Sequence, residues 1–285
     1  MSLPFKVDLK GKVAVVTGGG GILCGKMAEA IAACGAKVAV LDLRLEAAEK
    51  LADQIKAQGG TALGVAANVL EKESLEKAEA QVRAAFGPCD ILVNGAGGNH
   101  PKGTTSVEFM TKEHAGKPVE GVTSFFDLDP KGVEFVFNLN FLGTLLPTQV
   151  FSRAMAERGK GTIINISSMN AFCPLTKIPA YSGAKAAVSN FTQWLAVHMS
   201  KVGIRVNAIA PGFFLTDQNR ALLTNPDGSL TARGQKILNN TPMGRFGDPE
   251  DLLGALLWLV DDKAAAFVSG VVVPVDGAFS AYSGV

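Results

Sequence analysis

The chain has no excess of charge of either sign. Its 27 basic and 26 acidic side chains leave a net charge of +1, which provides no broad field to attract nucleic acid or an anionic membrane surface. No uncharged apolar run reaches the roughly 18 residues that a membrane-spanning helix needs, and the opening residues carry charges where a secretory signal would be apolar. We therefore expect a cytoplasmic protein that acts on a small molecule, with no nucleic-acid or membrane partner.

Cysteine is scarce as well, with four residues in 285. None of them forms a CxxC pair or a spacing typical of metal ligands, and three lie in apolar surroundings. Such thiols usually fill core space in the reduced form. We therefore expect neither a disulfide nor a metal site from Cys24, Cys34, Cys89 and Cys173.

Hydrophobic residues make up 47% of the chain, and they occur in seven short β-rich runs that alternate with helical patterns. This alternation predicts an α/β protein with a doubly wound, Rossmann-like fold, in which helices cover both faces of a seven-stranded parallel sheet. No Pro/Ser-rich linker or change in composition divides the chain, so residues 1–285 are expected to form a single domain. The predicted strands are Val13–Gly18, Lys37–Asp42, Thr61–Val69, Asp90–Asn94, Gly161–Ser167, Ile204–Ala210 and Val271–Val275.

Two segments, at about residues 98–130 and 216–249, are too long and polar for ordinary connections between strand and helix. Both follow predicted strands at their carboxyl ends, where doubly wound sheets bind ligands. We interpret them as loops that cover the substrate; surface decoration or subunit contact is the alternative. The second segment is expected to contain an amphipathic piece at Gln218–Leu223, a turn at Asn225–Gly228 and a helical piece near Thr231–Asn239.

A glycine-rich stretch follows the first strand and leads into a helix, from Thr17 to Ala32. Glycines let backbone N–H groups approach a pyrophosphate, and the start of the helix presents its positive end to the anion. Asp42 ends the second strand, 24 positions after Gly18, close to the offset expected of a carboxylate that binds the adenosine ribose. Together these features predict a dinucleotide site.

Asp42 also favours NAD over NADP, because a carboxylate at that place repels a 2′-phosphate. Arg44 is the alternative partner of a 2′-phosphate if Asp42 turns aside; otherwise it faces solvent at the start of the next helix. By position, Asn68 and Val69 lie near the adenine, although Asn68 could instead terminate its strand. The residues expected to contact the cofactor in this half of the chain are Gly18, Gly21, Ile22, Leu23, Asp42, Asn68, Val69, Asn94, Ala96 and Gly97.

Tyr181 stands four residues before Lys185 at the start of a predicted helix, so both side chains lie on one face. A tyrosine ordinarily loses its proton near pH 10. An ammonium group beside it favours the phenolate, and Tyr181 is then expected to exchange a proton with an alcohol or carbonyl oxygen near neutral pH. The alternative is a chance match, with a packed tyrosine and a solvated lysine.

Two further polar residues fit around this pair. Ser168 follows a buried strand, 13 residues before the tyrosine, and its hydroxyl is suited to hold the substrate oxygen; Ser167 is the competing candidate. Asn140 lies in the helical segment before that strand, where it is expected to link a water molecule to Lys185. Asn138 is the alternative, with a less suitable spacing.

Taken in order, these motifs resemble those of the short-chain dehydrogenase/reductase family, from Lys12 to Gly277. The matching elements are TGGGG, Asp42, NGAG, Asn140-x-x-Gly143, Ser168, Tyr181-x-x-x-Lys185 and the PGFFLT stretch. The resemblance implies a nicotinamide cofactor, a homotetramer, and catalysis by Ser168, Tyr181 and Lys185 with Asn140 completing a proton relay. The further cofactor contacts that it implies are Tyr181, Lys185, Pro211, Gly212, Phe214 and Thr216.

The glycine-rich stretch departs from the family pattern TGxxxGxG, because Ile22 and Cys24 stand where its second and third glycines are expected. Cys24 is expected to narrow the approach of the helix to the strand or the pyrophosphate, and Gly21 and Gly25 to compensate through a shifted turn. Asn68 stands where the family usually has Asp, although its amide oxygen can still accept a hydrogen bond from the adenine amino group.

The polar segment after NGAGG and the stretches FFLTDQNRALLT, LTARGQKIL and TPMGRFGDPEDLLGALLWL resemble a narrower group, the short-chain-type D-mannonate oxidoreductases or fructuronate reductases. This resemblance implies reversible hydride transfer between NADH and C5 of D-fructuronate. Other polyols, aldonates or secondary alcohols are alternative substrates, and a non-catalytic NAD-binding protein is the remaining alternative. A sugar acid needs cationic and amide donors, for which the candidates are His100, Lys102, Asn170, Lys177, Gln218, Asn219 and Arg220.

Overall fold

The computed structural model describes residues 7–116, 118–216 and 220–284. Its strands are β1 (Val13–Thr17), β2 (Lys37–Asp42), β3 (Thr61–Ala66), β4 (Ile91–Asn94), β5 (Gly161–Ile166), β6 (Ile204–Pro211) and β7 (Val272–Val275). All seven pair in parallel in one sheet, in the order β3-β2-β1-β4-β5-β6-β7. Each predicted strand overlaps an observed one, so the predicted fold class is confirmed.

The strands are apolar on both faces of the sheet. In β1 the side chains of Val13 and Val15 join the core on one face, whereas Ala14 and Val16 join the core on the other. Strands β4 and β5 are buried along their whole length. Because such strands need cover on both sides, helices pack on each face.

Ten α-helices surround the sheet in the described part of the chain. They are α1 (Ile22–Ala33), α2 (Leu45–Ala57), α3 (Lys72–Phe86), α4 (Pro130–Phe137), α5 (Gly143–Phe151), α6 (Arg153–Arg158), α7 (Pro179–Met199), α8 (Arg220–Leu223), α9 (Ala232–Asn239) and α10 (Leu253–Val260). Helices α1, α2 and α10 contribute to the core on one face, and α3, α5 and α7 to the core on the other. Among the described residues, no helix combines the length and apolar character needed to cross a bilayer.

The order of the strands reverses between β1 and β4, and the backbones that follow these two strands lie close together. Gly18 has a φ of 64°, and a Cβ at this residue would lie 2.9 Å from the backbone of Ala96. Thr17 Oγ1 accepts hydrogen bonds from the N–H groups of Gly95, at 3.1 Å, and Ala96, at 3.3 Å. Doubly wound sheets bind their ligands at this reversal point.

The two long polar segments follow β4 and β6. The first contains short helical turns before α4, and the second contains α8 and α9. The N–H of Gly228 donates to the carbonyl of Asn225 at 2.9 Å, which confirms the predicted turn. An ion pair joins the two segments, since Lys236 Nζ lies 2.5 Å from Glu108 Oε2.

Candidate active site

The glycine-rich turn ends at Gly21, the N-cap residue of helix α1, and among the described residues no side chain caps that end of the helix. The first N–H groups of the helix are therefore suited to an anionic group. Ile22 and Leu23, the first two residues of the helix, are half-buried. A Cβ at Gly20 would lie 2.8 Å from Asp42 Oδ2. The turn, the helix end and the carboxylate thus form a compact cradle that fits the pyrophosphate and ribose of a dinucleotide.

Cys24 is accommodated by a glycine at the end of another strand. Its Sγ lies 2.1 Å from the position that a Cβ at Gly95 would take, so a glycine there leaves room for the thiol. Burial raises the pKa of Cys24 to about 11, which keeps the thiol neutral. Gly25 makes the close approach to the turn, since its Cβ would lie 3.2 Å from the carbonyl oxygen of Gly19. Gly95 thus compensates for Cys24, which the motif pattern did not reveal.

Asp42 is held at the end of β2 by two backbone groups. Its Oδ2 accepts a hydrogen bond from the N–H of Gly20, and its Oδ1 accepts one from the N–H of Arg44, both at 3.1 Å. The Arg44 side chain is 73% exposed, and its Nε lies 3.8 Å from Asp42 Oδ1. The carboxylate has therefore not turned aside, and Arg44 faces solvent.

Asn68 and Asn94 both have partners within the protein. Asn68 Oδ1 accepts a hydrogen bond from the N–H of Leu70 at 3.1 Å, and its Nδ2 donates to Glu71 at 2.8 Å, which forms a turn after β3. Val69, inside that turn, is buried. The side chain of Asn94 is buried and hydrogen-bonded in the core. The side chains of both asparagines therefore have structural roles within the protein.

The segment from Pro211 to Thr216 is fixed at the carboxyl edge of the sheet. Pro211 ends β6, and the N–H of Gly212 donates to β7 at 2.9 Å. Phe214 is buried and forms a bridge with Gly247. The carbonyl of Thr216 accepts a hydrogen bond from the first residue of α8 at 2.9 Å. This segment therefore lies on the same edge as the glycine-rich turn.

Helix α7 carries Tyr181 and Lys185 one turn apart. The helix begins at Pro179, where a missing N–H costs no helical hydrogen bond. Lys185 Nζ lies 5.6 Å from the centroid of the Tyr181 ring and donates a 2.7 Å hydrogen bond to the carbonyl of Ile166. With only 4% of its surface exposed, Lys185 is not the solvated lysine of a chance match.

Ser168 is the serine that interacts with Tyr181, because its hydroxyl acts on the phenol and, against the larger effect of burial, lowers the pKa of Tyr181. Ser167 Oγ instead lies 2.6 Å from Ser189 Oγ and donates to the carbonyl of Lys185 at 3.2 Å. Successive side chains of an extended chain point in opposite directions. The geometry therefore favours Ser168 over Ser167 beside the tyrosine.

Burial changes the acidity of both residues on α7. It lowers the pKa of Lys185 from 10.5 to about 8. It raises the pKa of Tyr181, and the Ser168 hydroxyl offsets only part of that rise. The protein alone therefore does not show the expected lowering of the tyrosine pKa, because burial is the largest influence on it and the Lys185 ammonium group is not among the groups that shift it.

Asn140 lies in a π-helical turn that begins at Asn138 and separates α4 from α5. Asn140 is fully buried, whereas Asn138 is half-buried. Asn140 Nδ2 donates to the carbonyl of Gly98 at 2.7 Å and to a carbonyl of α4 at 2.8 Å. A Cβ at Gly97 would lie 2.6 Å from Asn140 Oδ1 and 3.2 Å from Lys185 Nζ. Gly97 thus lets Asn140 and Lys185 approach each other, as the expected relay requires.

The cationic substrate candidates do not share one cavity. Lys177 lines a cavity of about 250 Å³ between the first insertion and the segment before α7, and its φ of 73° is a left-handed value that is rare outside glycine. Arg220 lines a separate cavity of about 550 Å³ together with Ile22. Arg220 thus lies beside Ile22, which is a predicted cofactor contact. Gln218 and Asn219 lie outside the described residues.

The remaining three candidates differ in their surroundings. Lys102 is paired with an acidic residue, since its Nζ lies 3.4 Å from Asp129 Oδ2. His100 Nδ1 accepts a hydrogen bond from the N–H of Lys102 at 3.2 Å, and its ring centroid lies 5.1 Å from that of Phe135. Asn170 is buried beside the catalytic candidates: its N–H donates to Ser168 Oγ at 3.3 Å, and its Oδ1 has no hydrogen-bond partner among the described residues. Within the same residues, no group of three His, Cys, Asp or Glu side chains could hold a metal ion.

Comparison with known proteins defines the class to which this site belongs. The family model for short chain dehydrogenases matches residues 12–227. The chain is 58% identical, over 100% of its length and 99% of the relative, to an uncharacterized oxidoreductase of Haemophilus influenzae. It is 53% identical, over 99% and 100%, to an uncharacterized oxidoreductase of Bacillus subtilis. The chain therefore belongs to the short-chain dehydrogenase family and is an oxidoreductase.

A solved structure extends this comparison. The crystal structure of a proposed D-mannonate oxidoreductase from Haemophilus, with bound NAD, superimposes with a TM-score of 0.91 at 59% identity and covers 98% of both chains. A gluconate 5-dehydrogenase from Burkholderia cenocepacia, in complex with NADP and tartrate, superimposes with a TM-score of 0.81 at 28% identity and covers 98% and 99%. The fold is thus shared among relatives that differ in sequence and in bound cofactor.

Proposed function

We propose that this oxidoreductase transfers hydride between NAD(H) and a sugar acid, interconverting D-fructuronate and D-mannonate. The observation that carries the proposal is the 59% identity, over 98% of both chains, with the proposed D-mannonate oxidoreductase. That coverage includes both insertions, and long loops beside a site commonly provide its recognition residues.

NAD is the proposed cofactor. The Asp42 carboxylate, held at the end of β2 by the N–H of Gly20, is suited to accept hydrogen bonds from a ribose diol and repels a 2′-phosphate. Arg44 is solvent-facing and close to the Asp42 carboxylate, so it does not provide a separate phosphate site. The NAD in the 59% identical structure supports the same preference.

Reduction of the substrate requires a proton donor at its carbonyl oxygen. Bound NADH would supply the hydride. Ser168 and Tyr181 hold the oxygen between their hydroxyl groups, and Tyr181 donates its proton as negative charge develops there. The raised pKa of Tyr181 keeps the phenol protonated before this step, and the Lys185 ammonium then stabilises the phenolate. Asn140, close to Lys185, helps to return a proton from solvent.

Two residues beside this centre are proposed to recognise a sugar acid. Lys177, four residues before Tyr181 and lining the smaller cavity, provides a cation for the carboxylate. Asn170 has a buried, unpartnered Oδ1, which is suited to accept a hydrogen bond from a substrate hydroxyl. His100 is a further candidate, although it already caps a turn. Arg220 is assigned to the cofactor side.

A panel of substrates tests the proposal. The purified protein is assayed with D-fructuronate, D-mannonate, 5-keto-D-gluconate, gluconate and D-threitol, each with NAD(H) and NADP(H), by the absorbance of the reduced nicotinamide. We expect the highest kcat/KM for D-fructuronate with NADH. Lys177→Gln is expected to lower kcat/KM for the acids and to leave D-threitol unaffected. A higher kcat/KM for a neutral polyol would exclude the sugar-acid assignment.

Another polyol or aldonate is the second candidate substrate. Relatives that are 31% and 30% identical include a D-threitol dehydrogenase of Mycolicibacterium smegmatis and a 5-keto-D-gluconate 5-reductase of Escherichia coli, so the fold accepts both classes. An inactive 2-(S)-hydroxypropyl-CoM dehydrogenase of Xanthobacter autotrophicus is 36% identical. Cofactor binding without turnover of any compound in the panel would favour a comparable non-catalytic role.

A cytoplasmic homotetramer is the proposed assembly. Phe191, Trp194 and His198 form a stack of rings along α7, with centroid distances of 6.2 Å and 4.7 Å, and Trp194 is largely exposed. An exposed aromatic row is suited to contact with a second copy. Phe151, in contrast, belongs to the core. Sedimentation velocity is expected to show four copies, and a monomer would exclude this assembly.

A further inference from the structure

A chain of buried hydrogen bonds crosses the sheet beneath the catalytic residues. Asn94 on β4 and Asn165 on β5 lie opposite each other in register. Asn94 Nδ2 donates to Thr148 Oγ1 on α5 and to Asn165 Oδ1, both at 2.9 Å. Asn165 Nδ2 then donates to Thr192 Oγ1 on α7, also at 2.9 Å. Hydrogen bonds between side chains thus connect helix α5 to helix α7 through one asparagine on β4 and one on β5.

One end of this series of hydrogen bonds reaches Asn140, and the other ends in the part of α7 that follows Lys185. On α5, Thr148 Oγ1 donates to the carbonyl of Thr144 at 2.7 Å, and Thr144 Oγ1 donates to the carbonyl of Asn140 at 2.8 Å. On α7, Thr192 Oγ1 donates to the carbonyl of Val188 at 2.8 Å. Val188 lies three residues after Lys185. The hydrogen bonds therefore connect the relay asparagine with the turn of helix that carries the lysine.

The side chains that form this series of hydrogen bonds are polar, although they lie in a part of the protein that is otherwise apolar. Asn94, Thr148, Asn165 and Thr192 are each at most 2% exposed, and side chains such as Leu195 pack in the same core cluster. Apolar side chains of similar shape would pack there without amide groups to satisfy. Asn94 Oδ1 has no hydrogen-bond partner among the described residues, but hydrogen bonds join each of the four side chains to the next. Such a network favours one arrangement of the elements that it joins. Stability alone therefore does not account for these residues.

A second contact fixes the same turn of α7. Ser167 Oγ donates to the carbonyl of Lys185 at 3.2 Å and lies 2.6 Å from Ser189 Oγ. Asn165 and Ser167 are two residues apart, so they face the same side of the chain. Helix α7 is thus attached to β5 at Ser167 and at Asn165. Loss of the second attachment would let the helix pivot about the first.

We propose that Asn165 and Thr192 are positioning residues, which fix Lys185 and Tyr181 at the distance from Asn140 that proton transfer requires. The inference rests on the proposed hydride-transfer function. It assigns neither residue a contact with substrate or cofactor. Their effect is instead on the separation of two helices, and misplacement of reacting groups by about 1 Å can lower a rate by two orders of magnitude.

Thr192→Val tests this directly, because it keeps the shape of the side chain and removes its hydroxyl. We expect kcat to fall about tenfold, while the NADH dissociation constant and KM change less than about twofold. Thr192→Ser, which restores a hydroxyl, should recover kcat. Asn165→Leu should behave as Thr192→Val does. Kcat equal to that of the parent in folded Thr192→Val protein would overturn the proposal.

Thr162→Val is the matched control for a loss of stability. Thr162 is a buried threonine on the same strand, at the end away from the catalytic residues, where its Oγ1 accepts a hydrogen bond from Arg205 at 3.0 Å. This variant should lower the melting temperature and leave kcat unchanged. An equal loss of kcat in Thr162→Val and Thr192→Val would show that the effect is one of stability, and would also overturn the proposal.

A titration of Lys185 separates this proposal from the proposed function. Its Nζ environment is followed by NMR in the protein without substrate, in the parent and in Thr192→Val and Thr192→Ser. We expect the lysine pKa to move toward its ordinary value in Thr192→Val, because a displaced α7 admits water, and to return in Thr192→Ser. Identical titrations in all three proteins would refute the positioning role even if the parent reduced no substrate in the panel.

Discussion

The catalytic centre and the two insertions lie at the same edge of the sheet but are held in different ways. Tyr181 and Lys185 stand on a 21-residue helix that buried hydrogen bonds attach to the strands. The insertions instead expose large apolar side chains such as Phe109 and Phe126, and the ion pair that joins them is also exposed. Buried hydrogen bonds thus fix the catalytic centre, whereas the insertions are held by exposed contacts, each of which contributes little to stability.

This difference agrees with the separate roles of the two regions, which are proton transfer in the centre and substrate recognition in the insertions. Proton transfer tolerates little misplacement, so the catalytic side chains need buried partners. Substrate recognition must change between relatives, among which are enzymes for D-threitol and for steroids at 31% identity. Loops held by exposed contacts can change without loss of the core. Substitutions should therefore have large effects in the centre and small effects in the insertions.

The largest effect is expected at Lys185. Lys185→Met removes the ammonium group that stabilises a phenolate and the donor to the Ile166 carbonyl, so kcat should fall about a thousandfold. Lys236→Met removes the same group from the second insertion, and kcat there should change less than about threefold. Stopped-flow measurement of NADH oxidation compares the two variants. Similar losses of kcat in the two variants would show that the catalytic centre is no more sensitive to substitution than the insertions.

The next effect concerns the fit of the glycine-rich turn. Gly95→Ala places a methyl group where the Cys24 thiol lies, so we expect a loss of several kcal/mol of unfolding free energy, as for an overpacked core. Cys24→Gly in the same chain should restore most of it, because the methyl then occupies the space left by sulfur. Urea unfolding of the two single variants and the double variant measures the coupling. Additive effects would contradict the compensation.

The third prediction concerns pH. Burial lowers the pKa of Lys185 from 10.5 to about 8, so above pH 8 the folded protein loses a proton that the unfolded chain still holds. The contribution of this residue to stability therefore rises with pH. Between pH 8 and 10.5 the unfolding free energy of the parent should increase, relative to Lys185→Met, by about 3 kcal/mol. Parallel curves for the two proteins would show that the lysine is not desolvated.

The smallest effect is expected at the ion pair between the insertions. Glu108→Gln removes the negative partner of Lys236, whose hydrogen bond holds the pKa of the Glu108 carboxyl below its usual range. Because the pair is exposed, KM for the substrate should rise only about two- to fivefold, and NADH binding should not change. Glu108→Gln combined with Lys236→Met should have no greater effect than either alone. A loss of kcat would place this pair within the catalytic centre.

Much of the fold follows from local patterns in the sequence. The strands were predictable because parallel strands with two buried faces are runs of Val, Ile, Leu and Ala. The pairing of Tyr181 with Lys185 was predictable because a spacing of four residues places two side chains on one face of a helix. The position of the Asp42 carboxylate beside the glycine-rich turn was predictable because Asp42 ends a strand at the expected offset in sequence from that turn.

Features that depend on distant parts of the chain were not predictable. The missing side chain of Gly95 leaves room for the thiol of Cys24, and the two residues lie in different βα connections. A motif pattern compares each residue with the family and does not compare the two residues with each other. Asn165 lies in an apolar strand where one amide gives no signal of its partner Thr192. The raised pKa of Tyr181 also depends on burial, which a spacing does not specify. Long-range packing decided each of these features.

The most direct test of the proposed chemistry is the rate of NADH oxidation with D-fructuronate in Tyr181→Phe, alongside the NADH dissociation constant of the same protein. The substitution removes the phenolic proton and keeps the ring. We expect turnover to fall by about three orders of magnitude, with NADH bound as tightly as in the parent. Turnover within about threefold of the parent would contradict the assignment of Tyr181 as the proton donor.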